Sequence, residues 1–250
     1  MGKVKVLISF LVICFLAFIV SLTGCGKPKP PEIVFARSSE NLVALMSRTG
    51  GPAVWTDYVP CFRLFGDGTV IKRSGNPIYG LLVEGKLSYS EMKELLERIA
   101  NTGFFNLDGE YINKKVADAE TTEIMVNLKT SRKRVLVRGE KVKAFDEVAK
   151  IIEDCEVPDE KYHIPKRGFL VVTGLGHGEG SFIPHNSSVY SLLPDLDTLE
   201  NSISENTPIF ISADRFLELK KIEVSQGHIG LDVLVEGKGF RIYPVYEPKL

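Results

Sequence analysis

The stretch Phe62-Arg63-Leu64-Phe65-Gly66-Asp67-Gly68-Thr69-Val70-Ile71 decides the fold of this chain. Its two ends, Phe62–Phe65 and Thr69–Ile71, are rich in aromatic and β-branched residues, which favour strands. An Asp-Gly pair between two such runs is a strong signal for a tight turn. The stretch therefore predicts a β-hairpin, and turn geometry is enough to explain the Gly-Asp-Gly sequence at its centre.

The segment after the hairpin predicts another strand and then a capped helix. Gly80–Lys86 has the composition of a strand. Ser88 and Glu91 have the spacing of a capping box, with Ser88 as N-cap. Gly103 supplies the stop signal of the helix. The apolar residues that recur on one face of this helix are Met92, Leu95, Leu96 and Ile99.

A second hairpin and a second helix complete the first half of the chain. Apolar and mostly polar residues alternate in Glu123–Leu128 and again in Arg132–Arg138, which is typical of an antiparallel hairpin with one solvated face. Glu140–Cys155 carries apolar residues at helical spacing and is followed by Pro158. The sequence therefore predicts an α+β fold in which an antiparallel sheet is covered by two amphipathic helices.

Residues 159–250 predict a second, smaller, β-rich α+β domain, joined through a linker at Asp159–Arg167 to a first domain at residues 33–158. Apolar spacing predicts a short helix after Pro194 and another that begins at Ser212. The expected strands of this half are Phe169–Val172, Lys221–Ser225, Ile229–Val235 and Gly239–Tyr246.

Several of these motifs, in this order, resemble a family of uncharacterised bacterial secreted proteins and lipoproteins. The similarity spans residues 38–155 and rests on structural motifs, so it implies no particular activity. The motifs are Glu40-Asn41-Leu42-Val43, Gly50-Gly51, the Phe62–Ile71 hairpin, Leu87-Ser88, Gly103-Phe104-Phe105, Tyr111 and Asp118-Ala119-Glu120-Thr121-Thr122.

The first twenty-five residues decide where the protein works. Lys3 and Lys5 precede an apolar run from Val6 to Leu22, which is the order of a secretory signal peptide. Leu22-Thr23-Gly24-Cys25 resembles the bacterial lipobox, and this resemblance implies cleavage after residue 24 and lipid attachment at Cys25. An uncleaved transmembrane anchor is the alternative, because the apolar run is just long enough to span a bilayer.

The composition is typical of a folded protein, and the signal sequence indicates that this protein works outside the cytoplasm. Residues 25–32 hold a proline-rich tether, which favours an extended spacer between a membrane and the folded part. Removal of residues 1–24 leaves 226 residues with 29 basic and 32 acidic side chains. That balance lacks the positive charge that nucleic-acid binding needs, so nucleic acid is excluded as an expected partner. We expect a membrane-anchored protein on the extracytoplasmic face of a cell membrane, or of an outer membrane.

Two cysteines remain in the folded part, Cys61 and Cys155. Outside the cytoplasm such a pair can oxidise, so a disulfide between them is one expectation. Two buried thiols that pack as small apolar residues are the other. Neither cysteine has a second cysteine or a histidine at metal-ligand spacing, so no metal is expected there.

A glycine-rich loop, Gly174–Gly180, is the stretch with the strongest suggestion of a site. It follows a strand, but it lacks the third glycine of the dinucleotide pattern and leads into no helix, so no cofactor is expected. His177, Glu179 and His185 form a weak candidate for a metal or hydrolytic site, and their spacing matches no zinc signature. No Gly-x-Ser-x-Gly elbow occurs in the chain.

Two functions follow as hypotheses. The first is a non-catalytic lipoprotein of the cell envelope that binds a protein or cell-wall partner, or stabilises an assembly. The second is an envelope hydrolase or metal-dependent enzyme with its site around residues 174–185.

Overall fold

The chain's fold is given by a computed structural model that describes residues 29–49, 60–75, 80–165, 168–175, 182–184, 187–205, 208–226 and 230–246. Glu32–Leu250 forms one compact unit, and Met1–Pro31 is a separate one. Within the described ranges the chain has twelve strands in two mostly antiparallel sheets, and five α-helices. The predicted α+β class is confirmed. The signal segment and Cys25 lie outside these ranges.

The strands and helices have the following bounds. The strands are β1 Leu42–Thr49, β2 Phe62–Phe65, β3 Thr69–Ser74, β4 Leu81–Lys86, β5 Glu110–Ile112, β6 Thr121–Asn127, β7 Arg132–Arg138, β8 Lys161–Tyr162, β9 Gly168–Gly174, β10 Ile209–Ile211, β11 Leu231–Val235 and β12 Lys238–Tyr246. The helices are α1 Tyr89–Asn101, α2 Lys143–Glu153, α3 Val189–Leu192, α4 Leu196–Glu205 and α5 Ala213–Gln226, with a 3-10 turn at Phe104–Asn106.

The predicted hairpin forms β2 and β3 near the middle of an eight-stranded sheet with the order β5-β7-β6-β1-β2-β3-β4-β8. Leu64 pairs with Val70 across the turn. The carboxylate of Asp67 accepts hydrogen bonds of 3.0 Å from the backbone nitrogen and from the hydroxyl of Thr69. The turn residues therefore hold the hairpin in the way that the sequence predicts. The second predicted hairpin is β6–β7, which is also antiparallel.

Helices α1 and α2 pack on one face of this sheet and close the first hydrophobic core. Ser88 and Glu91 form the predicted capping box. Gly103 has a φ of 86°, which suits glycine at the end of α1. All four predicted apolar positions of α1 are buried, and the 3-10 turn places Phe104 in the same core. Helix α2 buries Phe145, Val148 and Ile152 there.

The second core lies between the other face of the large sheet and a four-stranded sheet of order β10-β9-β12-β11. Ile71 and Leu82 from the large sheet join Phe216 and Leu219 of α5 in this core. The hydroxyl of Tyr246 accepts a 2.9 Å hydrogen bond from the backbone of Leu82. These contacts lie within the single unit Glu32–Leu250, and the division into domains at residue 158 stays a prediction.

Several segments differ from their predicted structure. The expected linker contains β8, which pairs antiparallel with β4. Strand β10 was not predicted and pairs with β9. The prediction of a strand at Lys221–Ser225 is wrong, because this segment is the last part of α5. Helix α5 buries Lys220 and Glu223 as a pair, and these polar residues interrupt the apolar pattern by which a helix is recognised.

None of the helices in the described ranges has the length and apolar character that crossing a bilayer requires.

Candidate functional site

A cleft opens at one end of the four-stranded sheet, where the β11–β12 hairpin, the end of β9 and helix α4 meet. Its volume is about 550 Å³, within the range of sites that bind small ligands or side chains. Apolar groups make up most of its surface. The lining residues are Gly174, Leu175, Phe182, Glu200, Ile203, Ser204, Leu234, Gly237, Lys238, Gly239 and Phe240.

Hydrogen bonds of the backbone and of the Tyr190 hydroxyl fix the wall of the cleft that carries Phe182. The backbone nitrogen of Ile183 donates to the carbonyl of Asp232 on β11, at 2.8 Å. The Tyr190 hydroxyl donates to the carbonyl of Ile183 at 2.9 Å and accepts from the backbone nitrogen of Leu234 at 3.3 Å. These bonds satisfy polar groups on the outer edge of β11 and hold the segment with Phe182 beside the hairpin.

Gly239 allows the ring of Phe182 to lie against the hairpin. A Cβ atom at position 239 would stand 3.1 Å from the ring of Phe182, closer than a relaxed carbon–carbon contact. Any larger residue would push this ring and change the shape of the cleft. The glycine therefore serves close packing at this position, because its backbone φ is not in the left-handed region.

Among the described residues that line the cleft, Glu200 and Lys238 are charged. They form an ion pair with each other, and their side chains are 41% and 56% exposed. Ile203 is 37% exposed in the same cleft, which is high for isoleucine. An apolar floor with a pair of opposite charges at its solvent side suits an apolar group that is flanked by polar ones.

The structure brings the start of the predicted glycine-rich loop, and a residue that follows the loop, to this cleft. Gly174 and Leu175 line it from β9, and Phe182 lines it from the chain after the loop. The candidate residues His177, Glu179 and His185 lie outside the described residues. The chemistry proposed for those three side chains therefore stays a prediction.

Asp195, near the same loop in sequence, has a structural role. Its carboxylate accepts a 2.8 Å hydrogen bond from the backbone of Thr198 at the start of α4. Hydrogen bonds from Thr198 hold the pKa of Asp195 below its ordinary value. Within the described ranges, no three histidine, cysteine, aspartate or glutamate side chains are grouped as metal ligands.

Cys61 and Cys155 are free, buried thiols, and no S–S bond joins them in the structure. The Cys61 thiol donates to the carbonyl of Met46 at 3.2 Å. Burial raises the pKa of Cys61 to about 11, although nearby Arg48 and Arg73 lower it in part. Burial also raises the pKa of Cys155. Both side chains therefore pack as small apolar groups of the first core, the second of the two expectations.

A second, more polar cavity of about 350 Å³ lies beside Cys61, between strands β1 to β3 and the end of α2. Its lining residues are Met46, Arg48, Cys61, Phe62, Lys72, Arg73, Gly75, Ile152 and Glu153. Among the described residues of this lining, three are cationic and one is a carboxylate. We call it the basic cavity.

Each cation of the basic cavity has at least one partner. Arg48 forms ion pairs with Glu153 and, at 3.7 Å, with Glu120. Lys72 donates a 2.6 Å hydrogen bond to the carbonyl of Cys155, just past the end of α2, where the helix dipole favours a cation. Arg73 donates to the carbonyl of Gly80 at 2.9 Å.

His163 and Glu84 join β8 to β4. The His163 Nδ1 atom lies 2.7 Å from a carboxylate oxygen of Glu84, and Lys161 pairs with the other oxygen at 3.2 Å. Burial alone would raise the pKa of Glu84, but hydrogen bonds from His163 and Lys161 outweigh it and lower this pKa. The cluster fixes a strand that the sequence did not predict.

Sequence reasoning missed both cavities, since each is lined by segments that lie far apart in the chain. The one available signal for the cleft was the glycine-rich loop, whose first residues, Gly174 and Leu175, line it. No family model, no curated protein and no solved structure matches the chain. Its own residues and their geometry are therefore the basis for inferring function.

Proposed function

We propose that this protein is a lipid-anchored, non-catalytic binding module of the bacterial cell envelope. Its Cys25 carries the lipid on the extracytoplasmic face of a membrane, and its cleft accepts an apolar segment of a protein partner. The single observation that carries the proposal is the apolar cleft of about 550 Å³ between α4 and the β11–β12 hairpin.

The character of the cleft favours a protein partner. Its lining combines the aliphatic side chains of Leu175, Ile203 and Leu234 with aromatic ones. Protein interfaces have the same arrangement, with an apolar centre and a polar rim. Here Glu200 and Lys238 supply a rim with charges of both signs. A partner with a few apolar side chains between polar ones complements such a surface.

The anchor rests on the amino-terminal sequence. The lipobox-type Leu22–Cys25 and the tether that follows it support attachment to a membrane. The chain enters the compact unit at Glu32, whose carbonyl accepts a 3.0 Å hydrogen bond from Thr130. The backbone of Lys129 donates to the carbonyl of Val34 at 2.7 Å. The β6–β7 turn therefore holds the start of the folded part in place.

Site-specific photo-crosslinking in cells tests the proposed binding site. A photoreactive amino acid at position 203, in the cleft, should give a covalent adduct with one envelope protein. The same amino acid at position 164 is the matched control, because Ile164 is a 59% exposed isoleucine that does not line the cleft. An adduct at position 164 alone, or equal adducts at both positions, would contradict the proposal.

The enzyme hypothesis is tested separately. Alanine at His177, Glu179 and His185 should leave the crosslink at position 203 unchanged. A hydrolytic activity of the purified protein that these three substitutions abolish would favour the envelope enzyme instead.

A further inference from the structure

Within the described ranges, the large sheet ends in two edge strands, β5 and β8. An edge strand leaves one row of backbone N–H and C=O groups without a strand partner, and this row can pair with an extended segment of another chain. At the β8 edge the charges are compensated, because Lys161 and His163 both contact Glu84. The β5 edge differs, because exposed aliphatic side chains and unpaired cations lie beside it.

Two aliphatic side chains are exposed at the end of β5. Ile112, its last residue, is 42% exposed, and Val116, in the loop that follows, is 40% exposed. This loop packs against the end of β7. The backbone nitrogen of Asn113 donates to the carbonyl of Arg138 at 2.9 Å, and a Cβ atom at Gly139 would stand 3.2 Å from the Cβ of Val116. Residues 112–118 and 138–143 therefore form one continuous surface, which we call the β5 surface.

The β5 surface is basic, although the whole chain has a formal net charge of −1. Its two segments hold two acidic side chains and five cationic ones, which are Lys114, Lys115, Arg138, Lys141 and Lys143. Lys143 pairs with Glu147 at 3.9 Å. No carboxylate among the described residues forms an ion pair with the other four cations. The surface therefore has positive charge that the described part of the fold does not compensate.

The acidic residue of β5 lies at the other end of the strand. Glu110 begins β5, and its charge acts on Arg134 of β7, which also pairs with Glu123 at 2.8 Å. At the end near the loop, Arg138 is the register partner of Ile112. Its buried Nε atom has no hydrogen-bond partner among the described residues, which is unusual for a buried polar group. This end of β5 therefore favours a group that brings carboxylates.

The β5 surface lies far from the point at which the chain enters the folded part. The β6–β7 turn holds Glu32 through the hydroxyl of Thr130, and β7 starts directly after this turn. Arg138 is at the opposite end of β7, about 20 Å away at the rise of a strand. In this one step, which rests on the proposed anchor at Cys25, the position favours a protein partner over lipid headgroups.

We propose that the β5 surface binds an extended acidic segment of a protein partner, which adds to the edge of β5 as a further strand. Backbone hydrogen bonds to β5 hold the segment, and its apolar side chains contact Ile112 and Val116. Its carboxylates accept charge-assisted hydrogen bonds from Lys114 and Lys115. None of these residues lines the cleft, so this second binding site goes beyond the proposed function.

Fluorescence anisotropy with the full chain in a neutral detergent tests this inference. The probe is a short labelled peptide of alternating glutamate and leucine. It should bind saturably, and its affinity should fall as salt rises, because salt screens exposed charges. The same peptide with lysine in place of glutamate should not bind. The inference is overturned if the glutamate peptide does not bind, or if both peptides bind equally.

A modified peptide tests the addition of a strand. Methylation of alternate backbone nitrogens in the glutamate peptide removes the donors that would pair with β5, and leaves its charges unchanged. This peptide should bind at least about tenfold more weakly, since it loses several hydrogen bonds. Equal affinity of the two peptides would contradict strand addition.

Variants of the protein locate the binding site. Lys114→Gln combined with Lys115→Gln should weaken the affinity for the glutamate peptide on the order of tenfold, through the loss of two ion pairs. Ile112→Ser should weaken it by a similar factor, through the loss of apolar contact. The matched controls are Lys161→Gln and Ile164→Ser at the opposite edge of the sheet, where these side chains are 74% and 59% exposed. Equal losses in the variants and their controls would overturn the inference.

Photo-crosslinking in cells identifies the natural occupant of the surface. A photoreactive amino acid at position 116 should form an adduct with a protein, and mass spectrometry of the crosslinked segment should show an excess of aspartate and glutamate. An adduct with a phospholipid, or with a segment that has no such excess, would overturn the inference. The crosslink at position 203 reports on the cleft independently, so the two proposals fail separately.

Discussion

Lys220 and Glu223 form an ion pair of 2.6 Å between Nζ and Oε2 inside the second core, where their side chains are only 3% and 1% exposed. Lys220 also donates to the carbonyl of Pro244 at 2.9 Å, and Glu223 accepts from the backbone of Gly230 at 2.8 Å. The pair therefore ties α5 to both strands of the β11–β12 hairpin at its open end, while the turn end of this hairpin forms one wall of the cleft.

Breaking this pair should destabilise the protein strongly. Lys220→Met removes the cation that pairs with the buried carboxylate of Glu223, and loss of one partner of a buried ion pair costs about 3–5 kcal/mol. Urea unfolding measures the change in the free energy of unfolding. The matched control is Lys221→Met, which removes an exposed pair with Glu218 at the same spacing and should cost less than about 1 kcal/mol. Similar losses in both variants would show that the buried pair has no special role.

The second prediction concerns Gly66 in the turn of the β2–β3 hairpin. A Cβ atom at Gly66 would overlap the carbonyl oxygen of Ala36, and the backbone nitrogen of Gly66 donates to Asn41 at 2.8 Å. Gly66→Ala should therefore destabilise the chain by about 1–3 kcal/mol or more, because the backbone has to shift. Gly109→Ala is the control, since a Cβ at Gly109 meets nothing within 4 Å. Equal midpoints of thermal unfolding for the two variants would contradict this account of the turn.

These elements also show why local structure could be predicted from the sequence. The hairpin depends on turn residues that adjoin its strands, and the Ser88–Glu91 capping box joins residues three apart. Such signals are local, so they are visible in the sequence. Ile222 and Val224 alternate with polar residues, which is the two-residue period of a strand, so this segment was wrongly predicted as a strand. It belongs to a helix that buries charged side chains, and these charged side chains hide the helical period.

The cavities depend on contacts that no local pattern contains. The cleft combines Phe182, Ile203 and Phe240, which lie on three separate segments. In the large sheet, strand alternation indicates that Arg63 and Arg73 share a face. It does not indicate that this face is covered. Their burial follows from the second core, which packs on the same side of the sheet at Ile71.

The buried thiol of Cys61 makes stability depend on pH in alkaline solution. Its pKa is about 11 in the folded chain and has an ordinary value of 9.0. The folded state therefore holds its proton more tightly than the unfolded state, and stability should fall as pH rises from about 9 towards 11. Urea unfolding at pH 8 and pH 10 should show a smaller loss of stability in Cys61→Ala than in wild type. An equal loss in both proteins would contradict the raised pKa.

The same burial predicts the state of both cysteines. In the native protein without reductant, Cys61 and Cys155 should react slowly with a maleimide, since both thiols are buried and the pKa of each is raised by burial. After unfolding in urea, both should react. Failure of both to react in urea until a reductant is added would show that they form the disulfide instead.

We propose that a lipid on Cys25 attaches this protein to a membrane, and mass spectrometry of the amino-terminal peptide from the native protein tests this attachment. We expect a peptide that begins at Cys25 and carries a diacylglyceryl group on its sulfur. A peptide that retains residues 1–24, or one with an unmodified Cys25 sulfur, would contradict it.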